Sequence, residues 1–141
     1  MFSKKIDFYI YELGDYQSYQ TQVCQIVEAA YEKKEQILLL CENEERCKEF
    51  DSAMWTFKDT CFIPHTIVNK KEIVTLNDQK LMANHSKTLI NISYTFPRSL
   101  SEFNYIIEMS GYDNASRQKA RENFKKYKNM KFNISSVHIK T

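Results

Sequence analysis

Residues 36–41 read QILLLC, a continuous apolar run with no polar alternation. A strand covered on both faces needs that pattern, because each face must meet a hydrophobic layer. Just after it, Asn43 is placed to cap a helix whose first turn carries Glu44 and Glu45, charges suited to the positive end of the helix dipole. Cys47, Phe50 and Met54 then recur at helical spacing and face inward. Working backwards, Tyr19, Val23, Ile26, Val27 and Ala30 share about a third of a helical wheel within 16–32. Residues 6–13, with Phe8 and Ile10 among tyrosines, form an aromatic and β-branched run that Gly14-Asp15 ends. Strand, helix, strand, helix over the first 55 residues predicts right-handed crossovers and a mainly parallel sheet flanked by helices, an α/β fold.

Outward from this frame the pattern is more irregular. Residues 62–65 (FIPH) read as an extended connection, because proline disfavours helix in the residue before it. Residues 73–76 and 89–93 read as strands, with the polar NDQKLMANHSK at 77–87 as a loop between them. A strand at 105–109, a turn at 111–114, a helix and a last strand at 132–139 complete the chain. The 141 residues, 43% hydrophobic and 13% aromatic, suit one ordered domain spanning 1–141.

The helix after the turn concentrates the charge. Residues 114–141 hold eight Lys/Arg against one acid, Glu122, for +7, whereas 1–113 hold 12 against 17, for −5. On a helix, Arg117, Arg121, Lys125 and Lys128 fall within an arc of about 80°, and Phe124 lies beside them. Ser116, Ala120 and Tyr127 lie further round and form the face that packs. Solvated helices usually mix Glu with Lys at i,i+4; so one-sided a stripe implies an anionic partner.

Other classes are disfavoured. Two glycines in the whole chain, neither in a phosphate-loop motif, argue against a nucleotide held by a P-loop or dinucleotide fingerprint. No cofactor is expected. Cys24, Cys41, Cys47 and Cys61 share no CxxC spacing and read as reduced, mostly buried thiols of a cytoplasmic protein. No apolar run is long enough to span a bilayer, and the opening MFSKKIDFYIYELGDY alternates instead of forming a signal sequence. Cys61 and His65 lie four apart, but Pro64 breaks the helix that would join them and no second pair completes a metal set. His85 and His138 have no evident partners, and no nucleophile, base and oxyanion set is recognisable. Asp51, one turn before Trp55, reads as helix-surface chemistry. Trp55, the sole tryptophan, with Phe57 and Phe62 near it, reads either as an interface anchor or as core at a helix end.

DSAMW at 51–55, CFIPH at 61–65 and ARENFKKYKNMKFN at 120–133, with the FYIY-type opening strand and ILLLCEN, resemble in order and spacing the chi-subunit family of bacterial DNA polymerase III. The resemblance runs nearly end to end. It implies a noncatalytic adaptor with a fold similar to nucleotide-binding proteins but without a nucleotide site. Such adaptors link the clamp loader, through the psi subunit, to single-stranded DNA-binding protein by gripping its acidic C-terminal tail, which ends in phenylalanine. The positions matching the tail pocket are Arg117, Arg121, Phe124 and Lys125, with Ser110 near the wall and Lys128 flanking. Trp55 and Phe62, with Phe57 and Pro64 beside them, match the psi-facing side. Phe124 stands where a tyrosine is common in the family, and Lys131 where a glycine precedes Phe132-Asn133. The rival reading is direct single-stranded nucleic-acid binding by the basic helix; the acidity of the rest of the chain and the shortness of the stripe argue for weak or absent DNA contact.

Overall fold

The computed structural model describes residues 5–11, 15–32, 37–56, 65–66, 74–77, 88–97, 103–130 and 132–139. Its elements run in the order β1 (Lys5–Tyr11), α1 (Tyr16–Tyr31), β2 (Ile37–Leu40), α2 (Glu44–Thr56), β3 (His65–Thr66), β4 (Val74–Asn77), β5 (Thr88–Asn91), β6 (Tyr105–Met109), α3 (Asn114–Asn129) and β7 (Asn133–Ile139). The strands form one sheet in the order β3-β4-β2-β5-β6-β1-β7, and every neighbouring pair is parallel.

All four residues of ILLL in β2 are fully buried, as a strand covered on both faces requires. Leu39 and Ile37 meet one layer, where Val23, Val27, Cys47, Phe50 and Met54 of α1 and α2 join Ile90, Ile107 and Met109. Leu38 and Leu40 meet the other, with Ile6, Leu89, Phe103, Ile106 and Tyr127 of α3. The predicted inward residues of α1 and α2 are all buried. Asn43 does cap α2, its Oδ1 accepting from the Arg46 N–H at 2.9 Å. The expected loop at 77–87 begins in β4, since Asn77 is that strand's last residue; 78–87 lie outside the described residues, as do 62–64.

The two halves of the sheet lead away from each other. The chain leaves β1 toward β2 on one side, and leaves β6 past β1 toward β7 on the other. Opposite directions put the two right-handed crossovers on opposite faces, and α3 accordingly lies across the sheet from α1 and α2. A crevice opens where such connections diverge, at the carboxyl ends of the strands. Here that place is between β1 and β6, where the Ser110 N–H donates to the Tyr9 carbonyl at 2.9 Å.

Among the described residues Cys24, Cys41 and Cys47 are buried, and burial pushes the Cys24 thiol up to about 12. Cys61 lies outside the described residues. No helix among the described residues is long and apolar enough to cross a membrane.

Candidate functional site: a cationic groove between α3 and β1–β7

The site depends on how α3 is rotated about its axis. Its buried residues are Ser116, Ala120, Asn123 and Tyr127, the three expected ones plus Asn123. Three of them, Ser116, Asn123 and Tyr127, are held by specific hydrogen bonds. Asp113 caps the helix, its carboxylate accepting from the Ser116 N–H at 2.9 Å and from Ser116 Oγ at 2.6 Å. The bonds from Ser116 hold the Asp113 carboxyl below the usual carboxylate range. Gly111 lies so close to this cap that a Cβ there would come within 1.6 Å of Ser116 Oγ. Asn123 Nδ2 donates to the Tyr94 carbonyl at 3.1 Å, and Tyr94 presents that carbonyl from a left-handed backbone conformation, φ 63°, uncommon for a non-glycine residue. The Tyr127 hydroxyl donates to Glu108 Oε1 at 2.5 Å. A capping box, an amide tether and a hydroxyl tether thus fix the rotation. At its end, Met130 has φ −83° and its N–H meets the carbonyls of Lys126, Tyr127 and Lys128, so the cap closes at negative φ and needs no glycine at Met130. Lys131 lies outside the described residues.

With α3 so fixed, the cationic flank overhangs β1 and β7. A groove of about 570 Å³ is lined by Phe8 and Ile10 of β1, Ser136 of β7, and Gln118, Arg121, Phe124, Lys125 and Lys128 of α3. That volume lies in the ~300–1,000 Å³ range of ligand clefts. Its wall is aromatic: Phe124 meets Phe8 edge-on, ring centroids 5.3 Å apart and planes at 85°, a favoured aromatic geometry. A smaller compartment of about 140 Å³ adjoins it, lined by Phe8, Ile10, Ser110, Arg117 and Arg121. Arg121, Phe8 and Ile10 line both. The smaller compartment lies at the β1/β6 divergence, where the fold leaves space.

The six residues marked out on this helix and its approach, Ser110, Arg117, Arg121, Phe124, Lys125 and Lys128, therefore line two adjoining cavities. Phe8, Ile10, Gln118 and Ser136 were not foreseen. Phe8 and Ile10 point to α3's face because they alternate with Ile6 on β1, and Ser136 is register-paired with Phe8. Their joining could be found only from the strand order. Trp55 falls in the last turn of α2, whereas Phe57, Phe62 and Pro64 lie outside the described residues.

The electrostatics of the groove differ from those elsewhere on the surface. On α2, Arg46 pairs with Glu49 at 2.9 Å and Glu42 at 3.7 Å, and stacks on the Tyr16 ring at 4.3 Å; Lys48 pairs with Glu44 at 3.6 Å. Among the described residues no acid pairs with Arg117, Arg121, Lys125 or Lys128. Those four cations thus retain their capacity for anionic groups, over an apolar floor. Among the described residues no group of three His, Cys, Asp or Glu could hold a metal ion.

The family model described as DNA polymerase III chi subunit, HolC, matches residues 3–135. Three relatives carry the name DNA polymerase III subunit chi. The one from Pseudomonas aeruginosa is 29% identical, over 88% of this chain and 89% of its own length. That from Escherichia coli is 23% identical over 82% of each, and that from Haemophilus influenzae is 24% identical over 97% and 99%. A match over nearly the whole chain, on a parallel α/β sheet with its basic helix set against β1 and β7, places this protein in the DNA polymerase III chi subunit family.

Proposed function

We propose that the protein is a noncatalytic replication adaptor whose groove takes the acidic C-terminal tail of single-stranded DNA-binding protein, and whose Trp55, Phe57, Phe62 and Pro64 side docks psi, so joining that tail to the clamp loader. The observation that carries the reading is the pairing of four cations that lack acidic partners among the described residues with an aromatic-walled groove. A chain that ends in phenylalanine presents a flat apolar ring and a carboxylate on the same residue. The ring needs a slot such as that beside Phe8 and Phe124. The carboxylate needs a cation at the slot's mouth, and the planar fork of Arg121, which lines both compartments, can hold both oxygens. Lys125 and Lys128 then face upstream aspartates, raising the association rate with strong salt dependence.

Direct binding of single-stranded nucleic acid uses exposed aromatic faces on which bases stack. Here Phe124 is half-buried against Phe8, itself buried, so the groove offers an aromatic-walled slot more than an exposed stacking face, which favours the peptide. The test is titration with a fluorescent peptide ending in Asp-Ile-Pro-Phe, at low and moderate salt, beside Arg121→Ala and a C-terminally amidated peptide. A charge-assisted contact contributes about 1.5–3 kcal/mol, so each change should weaken binding about 10- to 150-fold. Binding indifferent to amidation, with retained affinity for single-stranded DNA, would transfer the basic helix to phosphate recognition.

A further inference from the structure

An edge strand invites pairing with other chains unless it is short, charged, bulged or covered. One edge of the sheet is β3, at His65–Thr66. At the other end β7 runs seven residues, NISSVHI. Within those seven residues there is no proline and no lysine, and no strand among the described residues pairs with its outer side. Nor is there a bulge, since its register with β1 is unbroken from Lys5↔Asn133 to Tyr11↔Ile139. Asn133, Ser135, Ser136, Val137 and His138 are all exposed, and Val137, 38% exposed, is one of two large apolar side chains left in water among the described residues. In a parallel ladder alternate residues direct their N–H and C=O groups to opposite sides, so the outer side of β7 offers a row of backbone donors and acceptors.

This edge is continuous with the groove, since Ser136 of β7 forms part of the groove's lining. A peptide lying under Arg121, Lys125 and Lys128 therefore leaves the groove beside an open strand. We infer that the outer edge of β7 pairs, as an added strand, with the extended acidic segment just upstream of the peptide end held in the groove; this rests on the groove reading above. Charge selects that occupant over a second copy of the chain. Pairing β7 with β7 would bring two segments of +7 together, whereas an acidic strand meets the field of α3 with the favourable sign. Main-chain pairing also suits a segment of unspecific sequence, because backbone hydrogen bonds supply the affinity and side chains only the preference.

The experiment modifies the ligand, so that the protein's folding is not at stake. Affinity is measured for the tetrapeptide Asp-Ile-Pro-Phe and for a decapeptide that adds six upstream residues, two of them Asp, which extend about 20 Å and match β7. Two further decapeptides carry N-methyl groups on alternate upstream amides, in the two possible registers. The decapeptide should bind at least about fivefold tighter than the tetrapeptide, since two or three backbone bonds are added. One N-methyl register should abolish that gain and the other leave it, and β7 amides should exchange more slowly only in the decapeptide complex. Equal binding of both N-methylated peptides and the unmodified one would show that charge alone acts, and would overturn the inference, as would unchanged β7 exchange. A tetrapeptide that fails to bind overturns the groove reading itself. One that binds as tightly as the decapeptide overturns only the strand pairing. A concentration-dependent dimer that occludes the β7 amides would give the edge to a second copy and equally refute it.

Discussion

Glu108 is fully buried beneath α3, and its replacement by glutamine should reshape the pH dependence of stability. Its Oε1 accepts from Tyr127 at 2.5 Å and from Asn91 Nδ2 at 2.9 Å. Its Oε2 is buried without a hydrogen-bond partner among the described residues, and no cation among them is bonded to it. Burial outweighs the two hydrogen bonds and pushes the carboxyl from 4.5 up to about 8. The folded protein therefore keeps a proton that the unfolded chain releases above about 4.5, so stability is complete below that pH and is lost as pH rises toward about 8. Each unit of that window costs about 1.4 kcal/mol. At pH 7, 2.5 units above the unfolded value, the loss is about 3 kcal/mol.

Glu108→Gln keeps an oxygen for Tyr127 and Asn91 and sets an amide where Oε2 lies. Two unaccepted N–H groups there cost about 1–3 kcal/mol at every pH. The variant should therefore be less stable than the parent at pH 5 and more stable at pH 8, with the curves crossing near pH 6. Urea unfolding of both proteins at half-unit steps measures the difference, in which every other titrating group cancels. That difference should move by about 3.5 kcal/mol between pH 5 and 8. A constant difference across the window would refute the reasoning, because it would mean that Glu108 is ionised in the fold.

Other changes probe the rest of the site. Tyr127→Phe removes the hydroxyl tether at constant ring packing and should cost about 1–3 kcal/mol by denaturant unfolding. Asn123→Ala should cost a similar amount by leaving the buried Tyr94 carbonyl unpaired, with a smaller effect at Asp113→Ala of about 0.5–2 kcal/mol for the lost cap; thermal melts rank the three. Phe8→Ala should destabilise by about 3–5 kcal/mol and weaken tail-peptide binding in those molecules that remain folded, as a titration normalised by circular dichroism would report. Lys128→Ala should leave the melting temperature unchanged and reduce peptide association at low salt by only a few-fold, a difference that vanishes in stopped-flow runs at high salt.

Local patterns were the easiest to read. QILLLC showed a doubly covered strand, and the spacing of Tyr19, Val23, Ile26, Val27 and Ala30 gave the buried face of α1; on α3 the same reasoning separated Ala120 and Tyr127 from the cations. Long-range joins were not legible. Phe8 and Ser136 are 128 positions apart and become neighbours only because β7 lies beside β1, and no periodicity records strand order. Glu108 showed a faint signal, an acid inside YIIEM, but whether such a residue meets solvent depends on whether a helix covers it. Asn123 was missed because an amide on a helix reads as surface until a carbonyl such as that of Tyr94 is found beneath it.

The placement of charge along the flank of α3, instead of at its tip, separates this fold from parallel α/β folds that bind nucleotides. In those folds a phosphate takes the exposed N–H groups at a helix N-terminus. Here each helix closes its own: Asp15 accepts from the Ser18 N–H at 2.7 Å, Asn43 from Arg46 at 2.9 Å, and Asp113 from Ser116 at 2.9 Å. Two of those caps are carboxylates, which cancel the helix's positive end and repel an incoming anion. The attraction for anions passes instead to Arg117, Arg121, Lys125 and Lys128, side chains that reach over an apolar floor. A row of that kind suits a ligand whose charges are spread along a chain with an apolar group at its end, and it fits a compact phosphate poorly. Replacing Asp113 by Asn, which keeps the cap but removes its charge, should therefore change tail-peptide affinity by less than about threefold, because the cap lies outside both groove compartments and acts on the peptide only through a screened field. A tenfold gain in the same titration would show that the helix tip, and not its flank, receives the anion.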